Sequence, residues 1–249
     1  MHPSHSHTRT EESTARRPGG VDAQDWTGVE RSLDADGHAV LPGLLTLTQC
    51  RQLAARYARE DGYRSKVVMA RHGFGRGEYK YFAYPLPPLL EYLRHALYPR
   101  LVPTATRWNR QLRIDVAYPA TLEAFLQRCH RAGQTRPTPL LLQYGEGDYN
   151  CLHQDLYGEH VFPLQVVLLL PEPGRDFEGG EFVMTEQRPR MQSRPMVLAM
   201  RQGDAAVIAV SQRPVQGTRG VYRVTMRHGV SRVRIGLRHT AGIIFHDAS

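Results

Sequence analysis

The chain has 249 residues, 41% of them hydrophobic, which is enough to bury the core of one generous domain. No apolar run reaches the length of a membrane span, and the opening MHPSHSHTRT lacks the apolar centre of a secretory signal, so a soluble, cytoplasmic protein with no membrane partner is expected. Lys and Arg total 32 against 24 acids, a net charge of +8 that favours an anionic partner such as nucleic acid, although the arginines are spread along the chain.

Residues 1–22 are polar, with His2, His5 and His7 alternating before a Pro-Gly-Gly stop. Such a segment buries too little apolar surface to order itself, and a disordered tail is expected. The rest, 23–249, reads as a single domain. Residues 36–61 look like a strand, a turn and a helix: Cys50, Leu53, Ala54, Tyr57 and Ala58 recur at helical spacing, with Thr46 or Thr48 as the cap. A second helical segment follows Pro88 through residue 112, and a third covers 121–133.

Residues 67–87, VVMARHGFGRGEYKYFAYPLP, combine Arg71, Arg76 and Lys80 with Phe74, Tyr79, Tyr81, Phe82 and Tyr84. Basic groups can meet phosphates and aromatic faces can stack on a base, which makes Arg71, Arg76, Tyr79 and Tyr81 candidate substrate contacts. The same pattern also suits a strand pair with alternating core tyrosines. Residues 23–137 are thus expected to supply helical support and a substrate lid.

After Pro139 the texture changes to short β-rich runs at 140–147, 160–170, 180–186, 196–200, 204–210, 220–226 and 232–245, broken by Gly, Pro and charged turns. Strands following helices suggest an α+β plan built on a sandwich or barrel. The three cysteines, Cys50, Cys129 and Cys151, form no C-x-x-C pair, and their odd number argues against a disulfide framework. A reduced compartment suits them. Cys151 is expected to be a small buried hydrophobe.

The chemistry centres on Leu152-His153-Gln154-Asp155. In an extended chain, residues two apart point to the same side, so His153 and Asp155 can converge on one ion. His228 is the best third ligand. Two His and one carboxylate with open positions form the facial arrangement of non-heme iron(II) oxygenases. His160, His239 and His246 are rivals; His239 should point away from the site if its strand is regular. Ten residues beyond His228 comes Arg238, then Thr240. In a regular final strand Arg234, Gly236, Arg238, Thr240 and Gly242 share one face, and Val233, Ile235, Leu237, Ala241 and Ile243 the other. A buried Arg needs a partner, and the planar guanidinium can grip a carboxylate with two parallel bonds.

In this order, Tyr144-x-x-Gly147, His153-Gln154-Asp155, Phe177-Glu-Gly-Gly-Glu-Phe182, Gly203-Asp204-Ala-Ala-Val207, His228-Gly-Val230 and Gly236-x-Arg238 resemble the core of iron(II)- and 2-oxoglutarate-dependent oxygenases. The EGGEF turn and the ending resemble the prolyl-hydroxylase branch. The Tyr144 to Asp155 run and R-x-G-D-A-A-V resemble the AlkB branch, which repairs alkylated nucleic acid. The resemblance implies a double-stranded β-helix (jelly-roll, cupin-like) core over 138–249. It implies Fe(II) on His153, Asp155 and His228, with 2-oxoglutarate and O2 as cosubstrates. It also implies 2-oxoglutarate held by Arg238 and Thr240, with the Tyr144 hydroxyl nearby. The AlkB branch carries a second Arg six residues after the first; here Ile244 stands there. The activity implied is oxidative demethylation of alkylated DNA bases, with single-stranded or damaged nucleic acid as partner. The alternatives are a hydroxylase of a protein side chain or small metabolite, and a cupin-like binding protein with a vestigial metal site.

Overall fold

A computed structural model describes residues 19–249. The expected tail falls for 1–18 outside the described residues, while Val21, within its expected span, is 2% exposed and belongs to the core.

The chain opens with α1 (Trp26–Asp36) and β1 (His38–Leu41). Helix α2 (Leu47–Ala55) starts at a capping box in which Thr46 and Gln49 exchange side-chain-to-backbone bonds of 3.1 and 2.8 Å. The helix ends sooner than its sequence pattern suggests, and Arg56–Ala58 continue as a 3-10 turn. Strand β2 (Tyr63–Val68), a 3-10 turn over Met69–His72, β3 (Gly75–Arg76) and β4 (Glu78–Phe82) follow. Helix α3 (Pro88–Gln111) runs through Pro99 and Pro103, each of which removes a backbone donor at roughly 3 kcal/mol. Leu93, Leu97, Leu101 and Ala105 compensate by burying one face at every fourth residue. Trp108, 1% exposed, donates from its indole to Asp34 at 2.7 Å and ties α3 to α1. Helix α4 (Leu122–Arg131) is capped by Thr121.

The β-rich half contains β5 (Leu140–Tyr144), β6 (Tyr149–His153), β7 (Leu164–Leu169), β8 (Phe177–Gly179), β9 (Phe182–Gln187) and β10 (Arg194–Leu198). It continues with β11 (Ala205–Ala209), β12 (Gln212–Gly217), β13 (Gly220–Val230), β14 (Val233–Gly236) and β15 (Arg238–Ile243). One seven-stranded sheet has the order β1-β11-β7-β15-β5-β4-β2; a six-stranded sheet has β10-β9-β13-β6-β3 with β12 beside β13. Together they enclose a single hydrophobic cluster, as expected for an α+β protein with a jelly-roll core. The 23–137 half is more than helical support: β1, β2 and β4 extend the larger sheet, and β4 pairs with β5 from Glu78↔Gln143 to Tyr81↔Leu140. No helix among the described residues is long and apolar enough to cross a membrane.

Two local expectations are corrected. The stretch 232–245 is not one strand: β14 pairs with β8, β15 pairs with β5 and β7, and the chain turns between them at Gly236, φ +84°. A Cβ there would stand 2.2 Å from the Asp176 carbonyl oxygen, so only glycine fits. Ile235 and Leu237, expected to share a face with Val233, Ala241 and Ile243, are therefore 57% and 45% exposed while those three are buried. Cys151, expected to be buried, is exposed on β6.

Candidate metal centre and its cavity

Strand pairing assembles the centre. His153 closes β6, His228 lies on β13, and the two are direct cross-strand partners with ring centroids 4.3 Å apart. Beyond His153 the chain leaves the sheet, and the Gln154 amide fastens it by donating to the Ser211 and Met226 carbonyls at 3.0 and 2.8 Å. Asp155 is thereby returned to the histidines. Its Oδ1 is 3.5 Å from His153 Nε2 and its Oδ2 is 3.3 Å from His228 Nε2. One ligand atom from each residue lies within 4.8 Å of the others. Donors held about 2.0–2.2 Å from a first-row divalent ion stand roughly 3 Å apart, so the group fits such an ion, and imidazole with carboxylate suits Fe(II).

Neighbouring groups orient all three. His153 Nδ1 faces the Cys151 carbonyl at 2.8 Å, which favours the Nδ1–H tautomer and leaves Nε2 free to bind. The His228 ring stacks on Phe182 at 5.8 Å and 17°. Each Asp155 oxygen receives a neutral donor: Tyr157 OH reaches Oδ1 at 2.8 Å and Gln165 Nε2 reaches Oδ2 at 2.9 Å. Burial would push the Asp155 carboxyl up, but the His228 hydrogen bond, both imidazoles and the Gln165 amide outweigh it and hold the carboxyl below its usual range. Burial lowers His153 and keeps its imidazole neutral. Burial and the adjacent carboxylate push the Tyr157 phenol up, so it remains a donor.

The group opens into a cavity of about 230 Å³ between the sheets, walled by Phe74, Tyr79, Tyr144, Val167, Thr240 and Ile244. Arg238 lies beside this cavity. It is 2% exposed and lines an adjoining recess with Phe177, while Phe182 faces both spaces. Its guanidinium carbon is 5.5 Å from the centre of the Tyr144 ring, and Tyr144 is its cross-strand partner. Arg238 Nε and Nη1 are buried with no hydrogen-bond partner among the described residues, and burial lowers the guanidinium to about 10. A buried cation with idle donors fits an incoming carboxylate. Gly180, φ +60°, makes room for it, since a Cβ there would stand 2.8 Å from Arg238 Cδ.

The other expected residues separate. Thr240 and Tyr144 line the cavity, and Tyr144 OH receives a bond from Asn150 Nδ2 at 3.3 Å. Tyr79 reaches the cavity wall, Tyr81 is buried beside it with its hydroxyl 3.3 Å from that of Tyr157, and Arg71 and Arg76 are exposed outside. Of the rival histidines, His239 turns away to Gln143 at 3.0 Å, and His160 and His246 stand outside the ligand group. Asp204 holds a turn, accepting from Gly43 and Arg201 backbone amides at 2.7 and 2.9 Å. Gln165 was missed. A single amide in the apolar run LQVVLL was its available signal.

Residues 77–248 match the model of the Oxygenase-NA family, described as oxygenases catalysing oxidative methylation of damaged DNA. The chain belongs to this family. Two uncharacterized proteins, from two strains of Mycobacterium tuberculosis, are each 49% identical over 168 residues, covering 68% of this chain and 72% of theirs. The fold is shared with a prolyl-4-hydroxylase from Pseudomonas putida, at 16% identity, TM-score 0.51, 90% of this chain and 99% of that one. It is also shared with a prolyl hydroxylase from Trichoplax adhaerens, solved with a hypoxia-inducible-factor peptide, at 13% identity, TM-score 0.54, 88% and 87% coverage. This Oxygenase-NA member is thus an oxygenase with the jelly-roll fold of iron(II)- and 2-oxoglutarate-dependent enzymes. Fe(II), 2-oxoglutarate and O2 are the cofactor set that goes with that fold, and the His153, Asp155 and His228 group is able to hold the iron.

Proposed function

We propose that this oxygenase uses Fe(II), 2-oxoglutarate and O2 to remove methyl groups from damaged nucleic-acid bases. The observation that carries the reading is the meeting of His153, Asp155 and His228 in a cavity beside a buried guanidinium whose Nε and Nη1 have no partner among the described residues. In this reading His153, Asp155 and His228 hold the metal, and Arg238 takes the far carboxylate of 2-oxoglutarate. Thr240 and Tyr144 offer hydroxyls along the way. When bound, iron and 2-oxoglutarate supply O2-dependent hydroxylation of a C–H bond. A hydroxylated N-methyl group then leaves as formaldehyde and restores the base. The apolar walls at Val167 and Ile244 keep water from the reacting carbon.

The family description supports damaged DNA as the substrate, and the net charge of +8 suits an anionic polymer. Arg71, Arg76, Tyr79 and Tyr81 are proposed as its contacts, with Tyr79 on the cavity wall and the arginines outside the mouth. A reducing cytoplasm is proposed as the compartment, because it suits both ferrous iron and the exposed free thiol of Cys151. Ile244 lines the cavity where the AlkB branch has its second arginine, and this favours a second reading as hydroxylase of a protein side chain or small metabolite. A succinate-release assay with Fe(II), 2-oxoglutarate and a panel of methylated oligonucleotides, peptides and amino acids tests both. Formaldehyde matched to succinate on the oligonucleotides alone is expected; succinate driven only by peptides or amino acids overturns the nucleic-acid reading.

A further inference from the structure

At the cavity mouth, the structure carries a second aromatic feature. The rings of His72 and Phe74 stack with centroids 5.3 Å apart and planes 23° apart. Both residues are exposed; Phe74, at 47%, also lines the cavity wall. An exposed stacked pair gains little from burial, so core packing does not explain it.

The pair is held in place by backbone bonds on both sides. Phe74 N–H donates to the Met69 carbonyl at 3.2 Å, Met69 N–H to the Gly77 carbonyl at 3.0 Å, and Cys151 N–H to the Phe74 carbonyl at 2.9 Å. The last bond joins the loop to β6, two residues before His153. Gly75, φ +127°, permits this approach, because a Cβ there would stand 2.4 Å from the Tyr149 carbonyl oxygen. Two exposed arginines bracket the pair in the chain. Arg76 has a loose 3.8 Å contact with Asp148, which also accepts from Gly145 N–H at 2.9 Å, and Arg71 projects from the preceding turn.

We propose that His72 and Phe74 form a stacking platform for the base adjacent to the target, with Arg71 and Arg76 on the connecting phosphates, so that the substrate is read as two neighbouring nucleotides. This rests on the nucleic-acid reading above. Base–aromatic stacking tolerates any sequence, since every base presents a π-face, whereas a phosphate contact depends on salt. The site therefore discriminates by strand length and continuity and is blind to the identity of the neighbour. One target base occupies the cavity; its neighbour covers the mouth.

The test measures binding of a mononucleotide, a dinucleotide and a single-stranded hexanucleotide, each with one N-methylated base, to the anaerobic complex with iron and 2-oxoglutarate. Wild type should bind the dinucleotide roughly tenfold or more tightly than the mononucleotide, with little further gain for the hexanucleotide. Phe74→Ala should erase most of that ratio and Phe74→Trp should keep it, with melting temperatures near wild type because the ring is half exposed. Arg76→Gln should weaken dinucleotide binding and reduce the salt slope by about 0.7. Equal wild-type affinity for mononucleotide and dinucleotide, or equal losses on both in Phe74→Ala, overturns the platform. Turnover of the methylated hexanucleotide by wild type in either case leaves the enzyme reading standing. Absence of both binding and succinate release with every nucleotide removes the nucleic-acid reading and the platform with it.

Discussion

Gln165 Nε2 donates to Asp155 Oδ2 at 2.9 Å from a strand whose other residues are all apolar. With Tyr157 on Oδ1, the carboxylate has one neutral donor on each oxygen and keeps its remaining lone pairs for a metal. Groups that orient a ligand from outside the coordination shell typically contribute a factor of roughly 10–100 in metal affinity. Gln165→Leu and Tyr157→Phe are each expected to weaken binding of Co(II), used as an air-stable spectroscopic probe, by that factor. Wild-type affinity in both variants would show that Asp155 needs no such bracket.

Arg238 should contribute to ligand binding at the expense of stability. Its buried Nε and Nη1 meet no partner among the described residues, so the ligand-free fold carries their desolvation cost. Arg238→Met keeps length and apolar bulk while removing the charge. The variant should melt no lower than wild type without 2-oxoglutarate, and should lose about 10–100-fold in 2-oxoglutarate affinity, the worth of a charged hydrogen bond. Thermal melts with and without 2-oxoglutarate, together with calorimetric titration, check both halves. A lower melting temperature with unchanged affinity would assign Arg238 to structure alone.

Acid should unfold the protein partly through His246. It is fully buried, its Nδ1 accepts the Phe162 N–H at 3.3 Å, and burial lowers it from 6.5 to about 4. The unfolded imidazole takes a proton below about pH 6.5 while the folded one stays neutral until about pH 4. Stability is therefore undiminished by this group above pH 6.5 and falls progressively as pH drops toward 4, by about 3 kcal/mol over the whole window. Urea unfolding at pH 7.5 and 4.5 should show the decline, and His246→Gln should flatten it. An identical slope in the variant would place the acid sensitivity elsewhere, for instance in His239, which burial also lowers to about 4.

Asp247 is the acceptor at the centre of a buried cluster. It receives Arg94 Nη2 at 2.8 Å, Tyr84 OH at 2.9 Å and faces His130 Nε2 at 2.9 Å. Arg94 is 1% exposed, so Asp247→Ala leaves its charge buried beside neutral acceptors alone, the Ile244 and Phe245 carbonyls and the Tyr84 hydroxyl. A loss of about 3–5 kcal/mol is expected from urea denaturation. A loss under about 1 kcal/mol would mean that water reaches Arg94.

Local chemistry made the candidate metal group legible. His153 and Asp155 sit two apart, a spacing that puts both side chains on one side of an extended chain, and the apolar runs after Pro139 have strand length and strand composition. Helix α2 was visible in the helical spacing of Cys50, Leu53 and Ala54 and in the threonine before it, because both signals lie within a few residues of each other. Distance in the chain hid the rest. Gln165 meets Asp155 only because β7 and the loop after β6 fold into one cavity, and no neighbour in the run LQVVLL hints at its partner. The break at Gly236 depends on the Asp176 carbonyl, which is sixty residues away in the chain and reaches Gly236 only through the pairing of β8 with β14, so the strand's alternation continues past it in the sequence without a sign. Arg238 could be read as a buried cation needing a carboxylate, but its place in a side recess, next to the cavity of the triad, was decided by Gly180 and by pairing with Tyr144. Residues 67–87 could be read as lid or strand pair, because aromatic alternation suits both, and pairing of β4 with β5 placed part of that segment in the wall. Sequence determined which chemical groups were present and which near neighbours shared a face; the long-range strand pairing determined which distant groups came to surround one point.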